Sequence, residues 1–301
     1  MLEVRAREDA LDVEAHAKVN LTLRVVGLRA AGYHELESVV AVVGLCDTLR
    51  FRLSDELSLS SSGLAVPGGD ENLILRAARA LREATGVRKG ARIELEKRIP
   101  LGRGLGGGSS DAAAALVGLN ALWKCGLGPT ALGELGARVG SDVPLFLGSP
   151  IAVMRGRGER IESVPGRLRW CVLLAWPDYG LPTPQVYAAY DGLAAKPAAG
   201  PGATEILANL DRPAADVRDL LFNDLELAAR SVRYNGVDVR KALTKAGAKA
   251  FCMSGSGSAY FALADTETEA GVWAAAVRDA GGDAAITTRM PGTDPQQENL
   301  P

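Results

Sequence analysis

PLGRGLGGGSSDAAAALVGLNALWKC, residues 100–125, follows directly on ARIELEKRI, residues 91–99, and this pair decides how the first half of the chain folds. In the 91–99 stretch Arg92, Glu94, Glu96 and Arg98 take one face and Ala91, Ile93, Leu95 and Ile99 the other, the pattern of a strand buried on one side. Lys97 falls on the apolar face, where a lysine either snorkels at the strand end or meets an anion. Residues 111–125 are apolar nearly all round, which predicts a buried helix. Ser109 or Ser110 suits its N-cap, and Asp111 suits the first turn, where a carboxylate meets the helix dipole. Strand, glycine loop and helix N-terminus in succession make a phosphate cradle, with unpaired N–H groups and room for close approach. Gly102, Gly104 and Gly107 spell G-x-G-x-x-G, but no strand-end acid follows about 20 residues on. No Gly-Lys-Ser/Thr completes a Walker A loop. A purely structural glycine turn is the plainer alternative.

Upstream, residues 13–25 alternate: Val13, Ala15, Ala17, Val19, Leu21, Leu23 and Val25 oppose Glu14, His16, Lys18, Asn20, Thr22 and Arg24. That predicts a half-buried strand with a polar face. GLRAAGYHEL (27–36) reads as a loop, SVVAVVGL (38–45) and DTLRFRLS (47–54) as two strands, and GLAVPGGDEN (63–72) as a connector into a helix over 72–84. Downstream, a helix is expected at 130–139 with Gly140 at C′, then Asp142 in a turn, with Val143 biased toward extended geometry by Pro144.

A strand pair is expected around 150–163 and a buried strand at 168–176. Helical patterns follow near 184–191, 214–222, 223–234 and 236–247, with AAKPAAGPGA (194–203) as a flexible loop. The end reads strand 248–253, turn SGSGS, strand 259–264, helix 266–280 and strand 284–288. This implies two α+β domains, 1–163 and 164–289, with 290–301 a disordered tail.

Composition excludes several classes. Lys+Arg 34 against Asp+Glu 36 leaves a net charge of −2, which demands no nucleic acid partner. Only two histidines and four dispersed cysteines are present, without CxxC spacing or a histidine partner in the sequence, so no zinc site is expected. The thiols read as reduced cysteines of a cytoplasmic protein. The charged N-terminus lacks a signal-peptide core, and no run approaches the ~20 apolar residues of a membrane span.

PLGRGLGGGSSDAAA (100–114) resembles the phosphate loop of the GHMP kinases, the superfamily of galactokinase, homoserine kinase and mevalonate kinase. AKVNLTLRVVGLRAAGYHEL (17–36), GSDVPLFL (140–147), CMSGSGSAYFAL (252–263), LPTPQVY (181–187) and FNDLE (222–226) narrow the likeness to its CDP-methylerythritol kinase branch. The resemblance spans residues 15–265 and implies a two-domain fold, with a ribosomal-protein-like N-terminal domain and a ferredoxin-like C-terminal one. It also implies ATP as phosphoryl donor, Mg²⁺ with it, and a CDP-linked methylerythritol as small-molecule acceptor. Another GHMP kinase, of homoserine or mevalonate type, and a non-catalytic RNA-binding module are the competing readings. Whether the protein is a monomer or a homodimer stays open, and the metal ligands are unknown.

By that resemblance Asp142 is the base and Lys18 its catalytic neighbour. The phosphates meet Pro100, Leu101, Gly102, Arg103, Gly104, Leu105, Gly106, Gly107, Gly108, Ser109 and Ser110, with Lys97 and Asn72 near the adenosine and Ser254–Ser258 beside the phosphates. Ser109 or Ser110 approaches the Mg²⁺. Asn20, Tyr33, His34, Thr183 and Tyr187 are expected to hold the cytidine-bearing substrate. Two departures stand out: His16, where the family usually has proline, would crowd or hydrogen-bond near the site, and Arg103 would lean toward ATP or into solvent.

Overall fold

Alternating sequence and long apolar runs build the first sheet. The computed structural model describes residues 2–28, 32–166, 168–198, 200–232 and 237–287. After β1 (Val4–Ala6), the alternating stretch forms β2 (Leu11–Asn20) and β3 (Thr22–Leu28), interrupted at Leu21. The expected polar face is covered by other parts of the chain: Lys18 and Asn20 are each 5% exposed. The cover comes from other glycine-rich segments, because Lys18 N–H donates to Leu105 O (2.9 Å) and Asn20 N–H to Ser254 Oγ (3.3 Å).

The two strands expected over 38–54 run as one, β4 (His34–Ser54). No turn is needed between them, since the pairing jumps from His16–Cys46 to Ala17–Val43 and Gly44-Leu45 is absorbed as a bulge. β4 also pairs with β3, with β6 (Gly90–Lys97) and with β7 (Ile151–Gly156), which carries β8 (Arg160–Val164). β5 (Leu57–Gly63), serine-rich and not expected as a strand, pairs parallel with β6.

α1 (Leu73–Thr85), capped by Asn72 Oδ1 on Ile74 N–H, packs on α2 (Gly107–Leu122), which lies against this sheet, and α3 (Pro129–Val139) packs on both helices. α2 begins earlier than the serines suggest. Gly106, at φ 71°, is its N-cap and makes no side-chain cap, so Ser109 and Ser110 lie inside the first turn. Gly140 ends α3 in an extended conformation rather than a left-handed one. Val143 is helical, not extended, because Pro144 opens a 3₁₀ turn, Pro144–Leu147, for which the chain is already winding.

The second sheet is wholly antiparallel, ordered β11-β12-β9-β13: β9 (Cys171–Trp176), β11 (Ala250–Met253), β12 (Tyr260–Ala264) and β13 (Asp283–Thr287). Val172 and Leu174 of β9 join the core of the first sheet, while Cys171, Leu173 and Ala175 join a second core. That second core takes residues from α4 (Thr183–Asp191), α6 (Glu226–Val232), α7 (Val239–Lys245) and α8 (Glu267–Asp279). A short helix, α5 (Ala203–Leu207), follows the stretch expected to be loop, and the 214–222 pattern is a 3₁₀ turn, Ala214–Leu220. β10 (Phe222–Asn223) returns to pair parallel with β3. The expected tail, 290–301, lies outside the described residues, as do 233–236 of the two helical patterns and 288 of the last strand.

Candidate active site

Lys18 and Asn20 point from β2 into the space between the two sheets. Lys18 Nζ donates to Asn20 Oδ1 (2.5 Å), Asn20 Nδ2 donates to Ser38 Oγ (2.8 Å), and Ser38 Oγ donates to Thr22 O (2.5 Å). This chain of hydrogen bonds fixes the Asn20 amide with its oxygen toward the ammonium. Burial lowers the Lys18 pKa from its ordinary value, and the negative charge of Asp142 works the other way.

Two glycine turns close over that pair. A Cβ on Gly104, at φ +78°, would meet Ser254 O at 2.1 Å, and one on Gly106 would meet Lys18 Cγ at 2.9 Å. Only glycine permits this approach of backbone to backbone and backbone to lysine. Ser254 Oγ donates to Gly104 O (2.9 Å), tying the SGSGS turn to the loop that opens α2. The first-turn N–H groups of α2, at Gly107, Gly108 and Ser109, have no preceding helical carbonyl to bind, the arrangement that lets a helix N-terminus accept an anion.

The result is a cavity of about 420 Å³ lined by Lys18, Asn20, Gly102, Gly104, Gly106, Ser109, Asp142, Thr183 and Tyr187. Nine of the residues expected at the site thus meet in one space, and Gly255, Ser256 and Gly257 join them. Ser109 borders the cavity, whereas Ser110 is fully buried and its hydroxyl has no hydrogen-bond partner among the described residues. Pro100 and Leu105 are buried in the body, and Leu101 sits at the edge of a smaller cavity.

Tyr33 and His34 do not line the main cavity but reach its wall. His34 stacks on Tyr187, with ring centroids 4.7 Å apart, and its Nε2 lies 2.8 Å from Asp191 Oδ1. Tyr33 is 54% exposed, with the Arg157 guanidinium 4.5 Å from its ring centre. Thr183 Oγ1 lies 2.7 Å from Ser256 Oγ, linking α4 to the glycine turn. The Tyr187 hydroxyl is pushed up to about 12 by burial and then by Asp142.

The smaller cavity, about 200 Å³, opens on the other side of α2's first turn, between Val66, Pro67, Leu73, Leu95 and Gly108. Asn72 and Lys97 edge it, but their polar atoms are committed to the fold. Asn72 caps α1 and donates to Pro67 O (2.9 Å). Lys97, 2% exposed, neither snorkels nor reaches outward: its Nζ meets Asp47 Oδ2 (2.5 Å) and Asp111 Oδ2 (2.6 Å). Burial, with the nearby Asp47 charge adding to it, raises the Asp111 carboxyl above the usual range, although Lys97 opposes this.

The two sequence departures resolve differently. His16 does not line the cavity; the strand turns its ring toward Glu14, with Nε2 3.8 Å from Glu14 Oε2. Arg103 is half-buried and donates to Ser258 Oγ (3.3 Å). Cavity residues that sequence reasoning missed are Ser38, Ser141 and Arg157. Ser38 sits in an apolar run and Arg157 in a Gly-Arg-Gly turn, and neither pattern distinguishes a site residue from an ordinary one.

The GHMP kinases N terminal domain matches residues 72–149 and the GHMP kinases C terminal matches residues 206–283. The 4-diphosphocytidyl-2-C-methyl-D-erythritol kinase of Pelotomaculum thermopropionicum is 44% identical over 258 residues, 84% of this chain and 89% of that protein. Its counterpart in Moorella thermoacetica is 40% identical over 86% of this chain and 92% of that one. A crystal structure of a 4-(cytidine 5'-diphospho)-2C-methyl-D-erythritol kinase superposes with a TM-score of 0.78 at 38% identity, covering 93% of this chain and all of that one. A homoserine kinase from Cytophaga hutchinsonii, 19% identical with a TM-score of 0.67 over 96% of this chain and 97% of that one, shares the fold. With these relatives matching along most of its length, the chain belongs to the 4-diphosphocytidyl-2-C-methyl-D-erythritol kinase family of GHMP kinases.

Proposed function

We infer that the protein transfers the γ-phosphate of ATP to the 2-hydroxyl of 4-diphosphocytidyl-2-C-methyl-D-erythritol, giving the 2-phosphate and ADP, in the non-mevalonate route to isoprenoids. The observation that carries the chemistry is the convergence of Lys18, Asp142 and an open helix N-terminus on one cavity. Phosphoryl transfer asks little covalent chemistry of a protein and much positioning and charge. In the proposed step the acceptor oxygen attacks Pγ, its proton passes to the Asp142 carboxylate, and ADP leaves with the electrons of the broken P–O bond. Lys18, oriented by Asn20, offsets charge on the transferring group. The N–H groups of Gly107, Gly108 and Ser109 hold the phosphates of ATP, and the adenosine occupies the smaller cavity beside Asn72 and Leu95.

The Ser109 hydroxyl, an oxygen donor that lines the cavity in the first turn of α2, suits Mg²⁺ beside the phosphates. When bound there, the ion would supply charge compensation for the β- and γ-phosphates. His34, Tyr187, Thr183 and Tyr33 form the proposed cytidine side, where a ring stacks on the base and an imidazole meets its edge. Four free cysteines support a reducing, cytoplasmic setting. The expected division between residues 163 and 164 would cut the last residue from β8 (Arg160–Val164), so we place it in the segment between β8 and β9.

The direct test is ADP release by the purified protein with CDP-methylerythritol, homoserine or mevalonate as acceptor. Turnover with the first and none with the others is expected. Turnover with homoserine or mevalonate alone would overturn the substrate.

A further inference from the structure

Away from the phosphoryl-transfer cavity, the bulge between β2 and β4 gathers three metal-ligating side chains that the sequence spacing keeps apart. His16 and Cys46 are the last paired residues before the register jumps, and Glu14 stands two places earlier on the same face of β2. Among the described residues, Glu14, His16 and Cys46 each bring one ligand atom within 4.8 Å of the others. His16 is 6% exposed, and its Nδ1 is buried with no hydrogen-bond partner among the described residues. Its Nε2 stands 3.8 Å from Glu14 Oε2, beyond hydrogen-bond range. The ring also meets the Val43 and Gly44 backbone of the bulge, and the nitrogen it turns toward Glu14 is Nε2. Cys46 carries a free thiol. None of the three lines the main cavity.

We propose that Glu14, His16 and Cys46 form a site for a borderline-soft divalent metal, Zn²⁺ being the ion these donors suit, with water in the fourth position. Sulfur and imidazole select against Mg²⁺ and Ca²⁺, which prefer all-oxygen shells. Zinc bonds of about 2.0–2.3 Å set tetrahedral ligands roughly 3.3–3.8 Å apart, so the cluster must contract by up to about 1.5 Å. Glu14 supplies that movement, being partly exposed and paired with Arg5 (2.9 Å), whose half-exposed guanidinium can turn to water. Arg98 and Asp47 are the other charges bearing on Cys46. The Cys46 thiol proton leaves to solvent as the metal–sulfur bond forms. The ion would pin the bulge two residues before Lys18, so that metal binding stabilises the strand that carries the catalytic lysine.

The test is a Co²⁺ titration of the chelator-stripped full chain, followed by Zn²⁺ displacement. A thiolate-to-cobalt absorption band saturating at one equivalent, bleached by Zn²⁺, is expected. Cys46→Ser should remove the band and His16→Gln should weaken binding by about tenfold or more, with kinase turnover retained in both as the check on folding. Absence of the band in the unaltered chain, or its survival in Cys46→Ser, overturns the site. Zn²⁺ should also raise the thermal midpoint of the unaltered chain and leave that of Cys46→Ser unmoved; equal shifts in both would count against it.

Discussion

Lys18 and Lys97 are both buried on strands of one sheet, yet their surroundings give them opposite jobs. Lys97 bridges two buried carboxyl groups, Asp47 and Asp111, and removing it leaves both without their shared cation. Lys97→Met should therefore destabilise the fold by about 3–5 kcal/mol, read as a fall in the denaturation midpoint. Lys18 answers mainly to an amide, Asn20, which stays tied through its own Nδ2 to Ser38 Oγ (2.8 Å). Burial already disfavours its charge, so Lys18→Met should cost no more than about 1 kcal/mol while abolishing turnover. Equal losses of stability in the two variants would contradict this division. Sequence alone exposes the oddity of an inward lysine at 97 but not its answer, because Asp47 lies 50 residues away and no local pattern marks it. The reverse holds for Lys18, where alternation finds the polar face but cannot reveal that other segments bury it.

At the scale of elements, the glycine loop was legible because its chemistry is local: a strand, residues that relieve steric limits, and a helix start. The positions within it are not equivalent. Gly102 (φ +65°) faces open space, so Gly102→Ala bears only the left-handed backbone cost, about 1–2 kcal/mol. Gly104→Ala adds a Cβ 2.1 Å from Ser254 O and must push the two glycine turns apart. Its KM for ATP should rise at least tenfold, with Gly102→Ala within about threefold of the parent, as measured by steady-state kinetics at saturating acceptor. What the sequence hid at this scale shares one cause. The Gly44-Leu45 bulge and the β5 pairing are set by partner strands elsewhere in the chain, and tertiary contacts override local preference there.

Across the whole molecule, the site exists only where the two sheets meet. β2 brings Lys18 and Asn20, the loop before α2 brings Gly102, Gly104 and Gly106, and α4 with the SGSGS turn closes the far wall through Thr183, Tyr187 and Ser256. β10, donated by the second half of the chain to the edge of β3, and the His34–Asp191 contact join the halves around that space. His34→Ala removes both the Tyr187 stack and the Asp191 contact, so it should raise KM for the cytidine-bearing substrate about tenfold or more, leaving KM for ATP within about twofold. A shift in the ATP constant instead would place His34 on the wrong side of the cavity. The most direct test of phosphoryl transfer at this junction is Asp142→Asn, assayed for kcat and, separately, for ATP affinity by equilibrium binding. A fall in kcat of about 10²–10⁴ with ATP affinity nearly unchanged is the expected result; turnover close to that of the parent would contradict the assignment of Asp142 as the proton acceptor.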